Sequence, residues 1–90
     1  MKIIINKCYG GFSVNDNIVK MLNLESRYDL EDDRTNVKLI ELIESGVNVD
    51  TNYSNLVVVE IPEDATDYII EEYDGYEHIL YVLDGKIKRV

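Results

Sequence analysis

Hydrophobic and polar positions change rhythm along the chain, and each change marks an element. Residues 2–9 read Lys-Ile-Ile-Ile-Asn-Lys-Cys-Tyr. Three consecutive β-branched residues predict a strand, and apolar residues on both of its faces predict one covered on both sides. Gly10-Gly11 ends it, because paired glycines weaken a strand and supply dihedrals that other residues avoid. A helix is expected next, capped by Ser13 with Asp16 in a capping-box-like pair. Its apolar stripe is Val14, Ile18, Met21 and Leu22, fading near Asn23. Residues 24–35 are polar and acidic, and read as a loop.

A second helix starts near Thr35 or Asn36. Val37, Leu39, Ile40, Leu42 and Ile43 give it a broad apolar face, and Gly46 fits a C-terminal cap. The stretch 47–55 is rich in turn formers. Leu56-Val57-Val58-Val59-Glu60-Ile61 then reads as a buried strand stopped by Pro62; residues 63–67 form a turn or begin a short helical turn. Asp74-Gly75 and Asp84-Gly85 each sit between apolar runs, the signature of two-residue type I′ hairpins. A two-residue turn at Asp74-Gly75 sets Tyr73 opposite Tyr76, Glu72 opposite Glu77, Glu71 opposite His78 and Tyr68 opposite Tyr81.

The predicted order is β-α-α-β-β-β-β. The first two strands are expected to join through a helical crossover, and the last three form an antiparallel meander. The fold class is α+β: a single domain, residues 1–90, with one mainly antiparallel five-stranded sheet and two helices packed on one face. No repeat or low-complexity segment is present. No apolar run approaches a membrane span, and no signal-peptide pattern is seen, so a soluble intracellular protein is expected.

Charge changes the picture. Nine Lys and Arg stand against eighteen Asp and Glu, a net charge of −9. Residues 1–23 hold Lys2, Lys7 and Lys20 against Asp16 alone, whereas residues 60–77 hold eight acids and no base. Such a field repels phosphate backbones, so direct nucleic-acid binding is not expected. It attracts basic protein surfaces, or simply keeps a small domain soluble. The single Cys excludes an internal disulfide. The shortage of Ala, Pro and Gln beside abundant Ile and Asn follows codons rich in A and T.

The opening Met1-Lys2-Ile3-Ile4-Ile5-Asn6-Lys7-Cys8-Tyr9-Gly10-Gly11-Phe12-Ser13 resembles the start of small uncharacterised proteins of tailed phages and prophages of low-G+C Gram-positive bacteria. Arg34-Thr35, Val58-Val59-Glu60-Ile61-Pro62-Glu63-Asp64 and Glu71-Glu72-Tyr73-Asp74-Gly75 fit the same resemblance. The acidic loop 29–33 departs from it. The resemblance implies a setting, the host bacterial cytoplasm and action against host defence, and no particular chemistry.

Candidate chemistry centres on Lys7, Tyr9, Gly10, Gly11, Phe12 and Ser13. A strand, a glycine pair and a helix start in succession offer unpaired N–H groups and a partial positive charge to a phosphate or carboxylate, and also fit a plain turn. The phosphate-loop and dinucleotide glycine patterns are both absent. Arg34 either turns inward onto an anion or pairs with Asp32 or Asp33. Cys8 with His78 is a conceivable nucleophile pair, but a small buried thiol and a Glu71–His78 cross-strand pair account for both more simply. One Cys and one His cannot fill a structural zinc site. Asp29, Glu31 and Asp33 have calcium-loop spacing, but the glycine and the closing glutamate are missing.

Two functions fit these residues. One is non-enzymatic capture of a phosphorylated, nucleotide-type defence signal by Lys7, Tyr9, Gly10, Gly11, Phe12, Ser13 and Arg34, without cofactor or metal. The other is an acidic inhibitor whose Glu63, Asp64, Asp67, Glu71, Glu72 and Glu77 imitate nucleic-acid phosphates before a basic host nuclease. The opposed pair Glu72 and Glu77 is expected to cost stability. A homodimer or larger homo-oligomer with the meander at the contact is expected from its aromatic strands.

Overall fold

A computed structural model describes residues 1–90. The elements are β1 (Lys2–Asn6), α1 (Asp16–Met21), a 3₁₀ turn at Asp29–Asp32, α2 (Val37–Glu44), β2 (Leu56–Glu60), β3 (Asp67–Tyr73), β4 (Tyr76–Leu83) and β5 (Lys86–Arg89). The class is α+β, as expected. The single five-stranded sheet is not found. β1 and β2 form one antiparallel pair, and β3-β4-β5 form a separate antiparallel sheet.

β1 and β2 are antiparallel because the chain leaves and returns at the same end. Asn6 pairs with Leu56, so residues 7–55 form a wide excursion over one face rather than a crossover. Strand alternation then divides the core. Ile4, Leu56 and Val58 face the helical layer, where they pack with Phe12, Val14, Ile18, Leu30, Leu39, Ile40 and Val49. Ile3, Ile5, Val57 and Val59 face the meander, where they meet Ile61, Ile79, Tyr68, Ile70 and Tyr81. The three Ile of β1 are fully buried, each worth about 1.5–3 kcal/mol of transfer free energy.

β1 has no second strand partner, yet its free edge is closed. The Ile4 N–H donates to the Arg34 carbonyl at 2.8 Å, and Arg34 Nη1 donates back to the Ile4 carbonyl at 3.3 Å. The Asn6 N–H donates to Glu77 Oε1 at 2.7 Å. A loop residue and a β4 side chain thus satisfy the groups that a neighbouring strand would otherwise pair, and this is why the two sheets stay separate.

Helix α1 begins later than the sequence predicts. Its N-cap is Asn15, whose Oδ1 accepts from the Ile18 N–H at 3.1 Å. Ser13 is not a cap. It is buried, and its hydroxyl bonds Thr51 Oγ1 at 2.9 Å. Helix α2 is capped by Asn36 through the Leu39 N–H, within the predicted start. Asp74 and Asp84 both have positive φ before glycines of positive φ, giving the two type I′ turns and the predicted β3–β4 register.

Candidate functional site

The glycine pair is held by backbone contacts from both sides. The Gly10 N–H donates to the Asp74 carbonyl at 2.8 Å, and the Gly11 N–H donates to the Tyr53 carbonyl at 3.3 Å. A Cβ on Gly10 would strike the Tyr53 backbone, and one on Gly75 would strike the backbone of Gly10 and Gly11. Three loops therefore meet at van der Waals distance, and glycine is required where they touch. Asn6 fastens the same junction. Its Nδ2 donates to the carbonyls of Cys8 at 2.9 Å and Gly75 at 2.8 Å, and its Oδ1 accepts from the Asn55 N–H at 2.8 Å.

This geometry corrects the anion-site expectation. Both glycine amides are already donated within the chain, and α1 starts at Asp16, well beyond the pair. Arg34 is also engaged. Its Nη1 and Nη2 donate to Glu77 Oε1 and Oε2 at 2.6 and 2.8 Å, and its guanidinium lies 4.0 Å from the centre of the Phe12 ring. Phe12 thus belongs to the interior, and Arg34 is largely buried with its guanidinium already committed to Glu77 and Ile4. Glu77 is 5% exposed and leaves the proposed acidic surface. Its expected repulsion with Glu72 is relieved because each carboxylate has its own partner: Arg34 for Glu77, the Gly75 N–H at 3.0 Å for Glu72. Glu63, Asp64, Asp67, Glu71 and Glu72 are exposed. Glu63 pairs with the Met1 ammonium at 2.7 Å, and Glu71 with His78 at 2.8 Å as the register predicts.

The remaining ligand candidates fall into two grooves. Gly10, Gly11 and Ser13 line a hollow of about 220 Å³ with Arg27, Tyr28, Thr51 and Tyr53. Arg27 is bound there only loosely, 3.8 Å from Asp16. Lys7 and Tyr9 line a larger groove of about 570 Å³ with Tyr73, Tyr76, His78 and Arg89. Cys8 lines neither groove and is partly exposed, its Sγ 3.6 Å from the Tyr9 carbonyl.

The larger groove collects groups that the sequence keeps apart. The Asp74-Gly75 turn sets Tyr73 beside Tyr76 on the face of the meander turned away from β1 and β2. Docking of that turn on Gly10 brings the strand exit of β1 alongside, so Tyr9 meets Tyr76 with ring centres 5.2 Å apart and a 41° tilt. Lys7 Nζ lies 5.4 Å from the Tyr76 ring centre, a cation–π distance. Arg89 arrives through β5. The sequence points to the tyrosines of the meander and pairs His78 with Glu71, but gives no sign of Arg89 in a site or of the juxtaposition with Lys7, because only the tertiary docking of the turn creates it. Tyr9 and Tyr73 are 66% and 74% exposed, so aromatic faces are open to a planar ligand.

No group of His, Cys, Asp and Glu side chains is arranged to hold a metal ion, and no helix is long and apolar enough to cross a membrane. Comparison of the chain with family models, curated proteins and solved structures returns no match.

Proposed function

We propose that this protein binds, without chemical turnover, a small molecule that joins an aromatic ring to a phosphate, and that Lys7, Tyr9, Tyr73, Tyr76, His78 and Arg89 form its site. One observation carries the reading. In a chain of net charge −9, two cations, a histidine and three tyrosines surround one groove of about 570 Å³. A phosphate suits Lys7 and Arg89 by charge-assisted hydrogen bonding, and a base suits the open tyrosine faces, where stacking is worth about 1–3 kcal/mol per base. Glu71 fixes the His78 ring at 2.8 Å, leaving its other nitrogen for a ligand. In the phage setting that the N-terminal motif resembles, such a binder serves by holding a phosphorylated defence signal in the host cytoplasm.

The test is calorimetric titration with adenosine monophosphate, guanosine monophosphate, a cyclic dinucleotide and orthophosphate. Binding by one nucleotide probe, weakened about tenfold or more by Lys7→Glu and by Tyr73→Ala, is expected. No binding across the nucleotides, or binding unchanged in both variants, overturns the proposal. Salt-sensitive capture of a basic nuclease by Glu63, Asp64, Asp67, Glu71 and Glu72 would then be the better account.

A further inference from the structure

We propose that the outer face of the meander is a self-complementary interface on which a second copy of this chain docks. Tyr68, Ile70, Ile79 and Tyr81 point inward to the core, so alternation turns Asp67, Ile69, Glu71, His78, Leu80, Val82, Ile87 and Arg89 outward. The register arranges these as rows across the strands: Asp67, Val82 and Ile87, then Ile69, Leu80 and Arg89, then Glu71 and His78. Ile69, Leu80, Val82 and Ile87 line an apolar depression of about 190 Å³. Ile69 is 54% exposed and Ile87 is 74% exposed, and nothing in the chain covers them. An uncovered apolar patch on one face of a small sheet marks an interaction surface.

Charge selects the occupant. The outward acids are all on β3, at one side of the patch, and the outward Arg89 is on β5, at the other. A two-fold axis parallel to β4 lays β3 of one copy over β5 of the other. Leu80 and Val82 then meet their own counterparts near the axis. Arg89 of one copy lies over Ile69 of the other, between Asp67 and Glu71, one pleat from each. The contact occurs twice by symmetry, as an isologous interface demands. A wholly acidic or wholly basic partner would match only one side of this face; a second copy matches both. Aligned packing of two sheets about 10 Å apart is the ordinary geometry for such faces. His78 and Arg89 also line the tyrosine groove, so pairing and nucleotide binding share these two side chains; the mass measurements are made without nucleotide and read the interface alone.

Light scattering and sedimentation at micromolar concentration test the interface. The unsubstituted protein is expected at twice the 10.4 kDa chain mass. Ile87→Glu, on a largely exposed side chain, is expected to give monomers that retain the wild-type circular dichroism and cooperative melting. Arg89→Glu is expected to weaken pairing about tenfold, and adding Asp67→Lys with Glu71→Lys to it to restore pairing by exchanging the charges. A monomeric wild-type protein, a dimer indifferent to Ile87→Glu, or a charge exchange that fails to restore pairing in a folded variant would each overturn the proposal.

Discussion

Arg34 and Glu77 form a two-pronged ion pair, at 2.6 and 2.8 Å, that closes the edge of β1 and joins the helical layer to the meander. Glu77 Oε1 also accepts the Asn6 N–H, and Arg34 is bonded to both peptide groups of Ile4. Three otherwise unpaired backbone groups are thereby satisfied in the interior.

Removing one partner strands the other. Glu77→Ala is expected to cost about 3 kcal/mol, because it leaves a largely buried guanidinium and an unpaired Asn6 backbone N–H. Glu72→Gln, on an exposed side chain, is expected to stay within about 0.5 kcal/mol. Urea unfolding separates the two. A cost for Glu77→Ala no larger than that for Glu72→Gln would contradict the edge-closure account.

Among the glycines, the contacts predict a sharp contrast. Gly75 has φ +85 and lies against the Gly10 and Gly11 backbone, and Gly10 lies against that of Tyr53. Gly10→Ala and Gly75→Ala are each expected to cost at least about 2 kcal/mol. A Cβ on Gly11 meets nothing within 4 Å, so Gly11→Ala is expected to be near neutral. Thermal melting of the three variants measures this, and equal losses at Gly10 and Gly11 would contradict it.

The same residues show how far the sequence could be read. The Asp-Gly turns are local chemistry, so the Tyr73–Tyr76, Glu71–His78 and Tyr68–Tyr81 pairs were legible. So was a β1 covered on both sides. The split into two sheets was not, since apolar periodicity states which face is buried and not which strand is the neighbour. The edge of β1 is closed by Arg34 and Glu77, and neither position looks like strand pairing. Glu77 did carry a signal: it shares the parity of Ile79 and Tyr81, which marks it as inward-facing. Arg34 carried none, because its partner lies far along the chain and Asp32 and Asp33 stand closer. Lys7 and Arg89 converge only after the turn docks on Gly10.

Acid stability should report on the loop before the 3₁₀ turn. Asp29 accepts the Glu25 N–H at 2.6 Å and the Ser26 hydroxyl at 2.9 Å, and these bonds hold its carboxyl below the ordinary 3.8. A depressed folded pKa contributes stability above the unfolded value and loses it as pH falls through the folded one. The window therefore lies below about 3.8. Asp29→Asn is expected to remain less stable than the parent at neutral pH, with the gap narrowing through that window. Unfolding measured in urea across the acid range checks it, and a gap independent of pH would contradict the assignment.

The proposed ligand site is the tyrosine groove and not the glycine turn. Amide and aromatic NMR shift mapping with the tightest-binding nucleotide probe tests it most directly. Saturable shifts are expected at Lys7, Tyr9, Tyr73, Tyr76, His78 and Arg89, with Arg27, Tyr28 and Tyr53 unmoved. Shifts confined to Gly10, Gly11, Ser13 and the Arg27 hollow, or no saturable shifts with any nucleotide, would contradict it.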